Sequence, residues 1–219
     1  MSTTIAPTSE DGQPVNQMFA DALRGGRCHV VLVDDVARLP VEDWLGVADA
    51  SDRTLLDHCV GRIIDIGSGP GRMSEHLMLR GREVLAIDVV DEAVLQTRAR
   101  GVTALLQDVF SPVPDEGRWD TALLADGNIG IGGDPFILLR RVHELLAPAG
   151  RVVVDLDPPG IGLATHWARL RTDVADSHPF RWAVVGADAI ESLADAAGFD
   201  VSGTHQTDDR WFAVLERRS

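Results

Sequence analysis

Residues 63–72 of the chain read Ile63-Ile64-Asp65-Ile66-Gly67-Ser68-Gly69-Pro70-Gly71-Arg72. A short run of β-branched apolar residues with a single acid is typical of a buried strand. The glycines that follow are typical of a tight turn into a helix, where a ligand can approach the backbone closely. Such a turn presents its ligand to the positive end of the helix. The stretch therefore predicts a nucleotide-type cofactor site.

The glycine spacing indicates which cofactor this is. The dinucleotide fingerprint Gly-x-Gly-x-x-Gly needs a third glycine, but Arg72 or Ser74 stands at that position, depending on the register. The chain instead has Asp-x-Gly-x-Gly-x-Gly, beginning at Asp65. This pattern strongly resembles the first motif of class I S-adenosylmethionine-dependent methyltransferases. The order of elements from about Cys59 to the C-terminus resembles that family as well.

The resemblance implies how the turn binds S-adenosylmethionine, whose product is S-adenosylhomocysteine. In the family this turn packs against the methionine part of the cofactor, and the leading acid, here Asp65, helps to hold its amino group. The turn residues expected to contact the cofactor are Gly67, Ser68, Gly69, Gly71 and Arg72.

Two later strand ends suit the adenosine part of the cofactor. Asp88 ends the next predicted strand, where a carboxylate can accept both ribose hydroxyls, and Val89 follows it. Gln107, Asp108 and Val109 follow the third predicted strand. In the resembled family an acid such as Asp108 bonds the adenine amine, while the next residue packs on the ring.

The fourth predicted strand ends in a loop with Ala125, Asp126 and Asn128 and several glycines. In methyltransferases this loop lies beside the transferred methyl, so we expect these three residues to contact the cofactor, and Asn128 the substrate as well. The Asn/Asp-Pro-Pro-aromatic motif of base-modifying amino methylases is absent from this loop. Asp126 with Asp155 or Asp157 could hold a divalent cation. The motifs that surround such sites in catechol methylases are missing, however, and we expect no metal.

Regular alternation from residue 61 onward predicts the fold. Strands are expected at 62–66, 83–88, 102–107, 119–125 and 151–156, and helices at 72–80, 92–100, 135–146 and 187–197. This order predicts an α/β, doubly wound, mostly parallel sheet with helices on both faces. Residues 199–204 and 211–216 predict an antiparallel hairpin, which resembles the end of the seven-stranded methyltransferase sheet.

The domain organisation follows from the same alternation. We expect a disordered tail at 1–15, a small N-terminal cap at 16–58 over the cofactor mouth, and the cofactor-binding domain at 59–219. The cap is expected to contain a helix at 15–23 and short strands at 29–33 and 35–39. Residues 157–185 interrupt the pattern and are interpreted as a substrate-pocket insertion that contains a helical run.

Charge and composition exclude several classes of partner. Lys+Arg number 20 against 34 Asp+Glu, a formal net charge of −14, which disfavours nucleic acid and anionic membranes. Residues 1–14 have neither a basic start nor an apolar core, so we expect no secretory signal. The two cysteines do not form a disulfide framework, and we expect a cytoplasmic protein.

The insertion carries the candidates for substrate chemistry. His166 and His178 are the candidate bases, because histidine titrates near neutral pH. Trp167, Phe180 and Trp182 could form the wall of an apolar or aromatic pocket. The sequence thus predicts a methyltransferase of small molecules, with oxygen or nitrogen acceptors favoured and the choice between monomer and homodimer left open. Two alternatives remain at this stage, namely an NAD(P)-dependent oxidoreductase and a non-catalytic methyltransferase-like binding protein.

Overall fold

The computed structural model describes residues 12–32, 36–208 and 210–218. The helices are α1 (Val15–Leu23), α2 (Val41–Leu45), α3 (Ala50–Leu56), α4 (Arg72–Leu79), α5 (Asp91–Ala99), α6 (Pro135–Leu145) and α7 (Ile190–Ala197). The strands are β1 (His29–Val31), β2 (Val36–Arg38), β3 (Arg62–Ile66), β4 (Glu83–Asp88), β5 (Thr103–Leu106), β6 (Trp119–Leu124), β7 (Leu146–Leu156), β8 (Leu163–Arg171), β9 (Phe180–Val185), β10 (Phe199–Thr207) and β11 (Arg210–Arg217).

A seven-stranded sheet forms the centre of the molecule, in the order β10-β11-β7-β6-β3-β4-β5. The neighbours from β7 to β5 pair in parallel, and β11 runs antiparallel to both β7 and β10. The predicted fold class is therefore confirmed, including the C-terminal antiparallel hairpin. The direction of strand order reverses between β3 and β6, which is where ligands bind in open sheets of this kind.

The sheet is buried on both faces because successive strand residues alternate between two cores. Ile63 packs with residues of α3 and α4, whereas Ile64 packs with residues of α6 and α7. Both isoleucines are completely buried. Strands covered on both faces read as continuous apolar runs, which is why residues 62–66 were recognisable in the sequence.

The first residues of α4 and α6 explain why these helices begin where they do. The backbone of Gly71 has φ +86°, and this left-handed residue precedes the first turn of α4. Asp134 caps α6, because its side chain accepts a hydrogen bond from the Ile137 amide at 3.1 Å, and Pro135 occupies the first helical position.

A second, four-stranded sheet has the order β2-β1-β8-β9. β1 pairs antiparallel with β8, and β8 pairs antiparallel with β9. The helical run expected within 157–185 is therefore wrong, since residues 163–171 form a strand. Ala168 and Leu170 are buried two residues apart, the period of a strand, and β1 and β9 supply the hydrogen-bonding partners.

The N-terminal segment packs on the same sheet. Of the expected tail, residues 1–11 lie outside the described residues. The Gln13 amide donates to the Asp176 carbonyl at 3.0 Å, and the Gln13 carbonyl accepts from the His178 amide at 2.8 Å. The expected helix at 15–23 is confirmed as α1. None of the helices in the described ranges combines the length and apolar character that a bilayer span requires.

Candidate functional site

A cavity of about 800 Å³ opens at the carboxyl ends of β3, β4 and β6. Two walls enclose it. The core wall comes from the central sheet and its turns: Ile66, Gly67, Ser68, Gly69, Pro70, Arg72, Met73, Ile87, Asp88, Val89, Val90, Ala93, Gln107, Asp108, Val109, Asp126, Asn128, Ile131 and Gly132. The cap wall comes from α1, the segments around β1 and β2, β8 and β9: Val15, Asn16, Phe19, Leu23, Val30, Leu39, Pro40, Trp44, Leu170, Phe180, Arg181 and Trp182.

The glycine turn between β3 and α4 is held by close contacts that leave no room for a side chain at Gly67 or Gly71. A Cβ on Gly71 would lie 2.6 Å from the hydroxyl of Thr97, which itself donates to the Gly69 carbonyl at 2.9 Å. A Cβ on Gly67 would lie 2.8 Å from Nδ2 of Asn128. This Asn128 nitrogen donates to the carbonyls of Ile66 and Gly67 at 2.9 and 2.8 Å. The turn is thus pre-formed against the loop after β6.

Asp88 connects the end of β4 to the glycine turn. One carboxylate oxygen accepts from the Gly69 amide and the other from the Val90 amide, each at 2.8 Å. Burial raises the pKa of Asp88, and the two amide bonds oppose that shift. Its carboxylate lies at the cavity wall with one lone pair of each oxygen available to a ligand.

Asp65 is a buried acid behind the turn and does not itself line the cavity. Its carboxylate accepts a hydrogen bond from the Ser74 hydroxyl at 2.6 Å. Burial raises the pKa of Asp65 to about 7; the Ser74 hydrogen bond works against this shift and the nearby Asp126 and Asp88 carboxylates add to it. A cationic group bound near this carboxylate would favour its ionised form.

Asp108 lies at the outer end of the core wall and is exposed. Its carboxylate accepts from the Phe110 amide at 2.9 Å, which forms a tight turn after β5. Val109, directly after it, is buried and lines the cavity. An acceptor beside an apolar surface suits a planar heterocycle with an exocyclic amine.

Arg72 is a buried cation between two acids at the cavity. Its Nη2 lies 2.8 Å from the Asp126 carboxylate and 3.3 Å from the Asp52 carboxylate, and its Nε donates to the Asp43 carbonyl at 3.2 Å. Its Nη1 is buried and has no hydrogen-bond partner among the described residues. Unsatisfied buried donors are rare and costly, so this nitrogen is a candidate ligand contact.

Further charges extend this cluster toward the C-terminal hairpin. Arg210 pairs with the carboxylates of Asp52 and Asp155, and its Nη2 lies 3.5 Å from Asp126. Asp155 also accepts from the Asp126 amide at 2.6 Å. Burial raises the pKa of Asp126 to about 6, and Arg72 works against that shift. About a third of the Asp126 side chain is open, and it lines the cavity.

The glycine-rich loop after β6 brings β9 close to the cavity. A Cβ on Gly130 would lie 2.2 Å from the Ala183 carbonyl and 2.7 Å from Nε1 of Trp182. A Cβ on Gly133 would lie 2.4 Å from the Cβ of Arg181. These glycines are therefore needed for packing against β9, and the packing holds Arg181 and Trp182 at the cap wall.

The family described as a methyltransferase domain matches residues 19–202, which are most of the chain. The chain belongs to this methyltransferase family. The resemblance of the sequence to class I methyltransferases is thus confirmed, and the strand order of the central sheet agrees with it.

Individual relatives of this chain are distant. A tabtoxin biosynthesis enzyme from Pseudomonas amygdali pv. tabaci is 37% identical over 84 residues, which are 38% of this chain and 33% of that protein. The chain thus spans well under half the length of the curated relatives it matches.

Solved structures share the fold over nearly the whole chain. A methyltransferase from Bacteroides fragilis, solved in complex with S-adenosyl-L-homocysteine, matches with a TM-score of 0.77 and 22% identity, over 100% of both chains. The 1,6-didemethyltoxoflavin-N1-methyltransferase from Burkholderia thailandensis matches with a TM-score of 0.66 and 17% identity, over 98% of this chain and 94% of that one.

The structure brings most of the site residues predicted from the sequence to one cavity. Those that line it are Gly67, Ser68, Gly69, Arg72, Asp88, Val89, Gln107, Asp108, Val109, Asp126, Asn128, Phe180 and Trp182. Asp65, Gly71 and Ala125 lie behind this surface and support it. The binding roles of these residues stay predictions.

The three remaining candidates lie elsewhere on the insertion. His166 lies on β8 opposite Trp182, and His178 is exposed beside Gln13. Among the described residues, no histidine lines the cavity. Trp167 also lies outside the lining, and the guanidinium of Arg181 covers its ring at 5.2 Å.

Sequence reasoning missed most of the cap wall. Phe19 and Leu23 lie four residues apart on α1, a spacing typical of one helix face, and both line the cavity. The helix itself was predicted as a short segment before Gly25 and Gly26, but its position against the core depends on contacts with residues distant in sequence. The side-chain amide nitrogen of Asn16 donates to the Val89 carbonyl at 3.0 Å, and the Arg24 guanidinium pairs with the Glu92 carboxylate at 2.8 Å.

Proposed function

We propose that this protein is an S-adenosylmethionine-dependent methyltransferase that methylates oxygen or nitrogen on a small molecule with an apolar or aromatic body. The observation that carries the proposal is the cavity itself, in which the glycine turn and strand-end acids face an apolar cap wall. Its volume of about 800 Å³ is in the range of small-molecule sites.

The residues of the core wall fit the parts of S-adenosylmethionine. Asp88 has free lone pairs for ribose hydroxyls, and Asp108 with Val109 suits the adenine ring. The unpartnered Nη1 of Arg72 suits the carboxylate of the methionine part, and the carboxylates of Asp65 and Asp126 favour its ammonium.

When bound, S-adenosylmethionine supplies a methyl group already activated by a sulfonium centre. Asp88, Asp108 and Arg72 would hold the cofactor, which would supply this methyl group to an oxygen or nitrogen atom of the substrate. The protein contributes alignment and a dry pocket, which can supply much of the rate enhancement for such a displacement. Phe19, Phe180 and Trp182 exclude water from the face opposite the core wall.

The relatives support a small substrate. Toxoflavin and tabtoxin occur in the names of two similar proteins, and a glycopeptide N-methyltransferase has the same fold, with a TM-score of 0.61. The net charge of −14 also disfavours nucleic-acid substrates.

Calorimetry followed by labelling tests the proposal. We expect S-adenosylhomocysteine to bind in preference to NAD, and we expect protein incubated with methyl-labelled S-adenosylmethionine and metabolite extracts to yield labelled small molecules. Preference for NAD would contradict the cofactor assignment. Binding of the cofactor with no labelled product across broad extracts would favour a non-catalytic role.

A further inference from the structure

Charged groups are unevenly divided between the two walls of the cavity. The core wall carries Asp88, Asp108 and Asp126, and its one cation, Arg72, is paired with Asp126. Among the described residues, the cap wall has no carboxylate, histidine or cysteine. Arg181 is the single ionisable residue that the described part of the chain contributes to this wall.

Arg181 is held in position from two sides. Its Cβ packs against Gly133, so closely that a Cβ added at Gly133 would lie 2.4 Å from it. Its guanidinium covers the ring of Trp167 on the paired strand. Cation–π packing of this kind restricts a guanidinium while leaving its N–H donors free to bond. No carboxylate of the described residues pairs with Arg181, in contrast to Arg72.

The cap wall therefore favours one charge type of substrate. On the described part of the cap wall, a cationic amine would meet a guanidinium and no carboxylate, and no described histidine lines the cavity to remove its proton. An anion could pair with Arg181 while its apolar body contacts Phe19, Phe180 and Trp182.

We propose that the substrate is an organic anion with an aromatic or otherwise apolar body, and that Arg181 recognises its negative charge. The proposal rests on the proposed function, because it assigns a substrate class to the same cavity. It makes Arg181 a specificity-determining residue, whose removal changes the choice of substrate and leaves cofactor binding intact.

Matched aromatic probes test the proposal without knowledge of the natural substrate. Calorimetry on protein saturated with S-adenosylhomocysteine compares 2-naphthoate with 2-naphthamide, which have the same shape and differ in charge. We expect the acid to bind about tenfold more tightly than the amide, as charge-assisted pairing to a guanidinium predicts. Added salt should reduce the difference because Arg181 is exposed.

Two arginine variants make the test specific. Arg181→Gln should reduce binding of the acid to the level of the amide, with unchanged affinity for S-adenosylhomocysteine, which also shows that the variant is folded. Arg140→Gln, an equal loss of charge on the exposed side of α6, should retain the preference. Equal binding of acid and amide, no binding of the acid, or a preference that survives Arg181→Gln would overturn the proposal. Failure of the wild type to bind S-adenosylhomocysteine would instead contradict the proposed function.

Discussion

Replacing Asp88 by Asn should weaken binding of S-adenosylmethionine about thirtyfold. Each carboxylate oxygen already accepts one backbone amide at 2.8 Å, so the two remaining lone pairs are those available to the ribose hydroxyls. An asparagine has only one acceptor oxygen, so one of the two hydrogen bonds to ribose is lost. The other hydrogen bond remains but is no longer made to a charged acceptor. Such a loss costs about 2 kcal/mol, which is about thirtyfold in Kd.

Isothermal titration calorimetry with S-adenosylhomocysteine measures this change directly. Asp91→Asn is the matched control, since Asp91 is exposed three residues further along and does not line the cavity. Denaturant unfolding of the Asp88→Asn protein should show a separate stability loss of about 1–2 kcal/mol, because the Gly69 or Val90 amide loses its acceptor. A change in Kd of less than about threefold would show that the ribose is bound elsewhere.

Three further predictions follow from buried groups of the site. Because burial raises the pKa of Asp65 to about 7, the ligand-free protein should lose stability as the pH rises from about 4 to about 7. Affinity for the ammonium-bearing cofactor should rise between pH 5.5 and 7.5 with proton release. Asp65→Asn should reduce both the stability loss in denaturant unfolding and the proton release in calorimetry, leaving the contribution of Asp126, whose pKa burial raises to about 6. Effects of unchanged size in this variant would contradict the assignment to Asp65. Gly130→Ala should cost about 2–3 kcal/mol in denaturant unfolding, since the Ala183 carbonyl cannot move away cheaply, and an unchanged midpoint would contradict the packing. Asp52→Asn should lower the free energy of unfolding by about 3 kcal/mol, because the largely buried Arg210 guanidinium loses one of its carboxylate partners. A free energy of unfolding within 0.5 kcal/mol of wild type, about the scatter of surface substitutions, would contradict that role.

The central sheet could be predicted because its signals are local. Strands such as 62–66 are apolar on both faces, and the helices between them end at glycines such as Gly81 and Gly101, so each boundary is visible in the sequence. Asp88 was selected because it ends a parallel strand, where ligands of such sheets bind, whereas the roles expected for Asp65 and Asp108 came from the resemblance to the methyltransferase family.

The second sheet was not predictable in the same way. Residues 163–171 contain alternating and helical spacings at once, and their partner β1 lies far away in the sequence. Pairing with β1 and β9 makes this segment a strand instead of a helix, as tertiary context often does for segments of mixed pattern. The charge cluster was missed for a similar reason, because Asp52, Arg72 and Arg210 come from three distant parts of the chain.

The two candidate bases were chosen from residue type alone. Histidine chemistry suggested His166 and His178, but neither side chain lines the cavity, and the backbone amide of His178 is bonded to Gln13. The role of the glycine-rich loop was likewise ambiguous in the sequence. Its glycines at 130 and 133 serve a close approach to β9, which only the folded arrangement reveals.

The pairing of β1 with β8 has a consequence for how the protein is made. Ribosomes release a chain from its N-terminus, so β1 emerges well before its partner strand has been synthesised. By the time β6 has emerged, the glycine turn and the strand-end acids Asp88 and Asp108 are all present. The four-stranded sheet, in contrast, still lacks β8 and β9, which are half of its strands. During translation the edge of β1 that pairs with β8 must therefore wait unpaired, the condition under which chains are most exposed to misassociation.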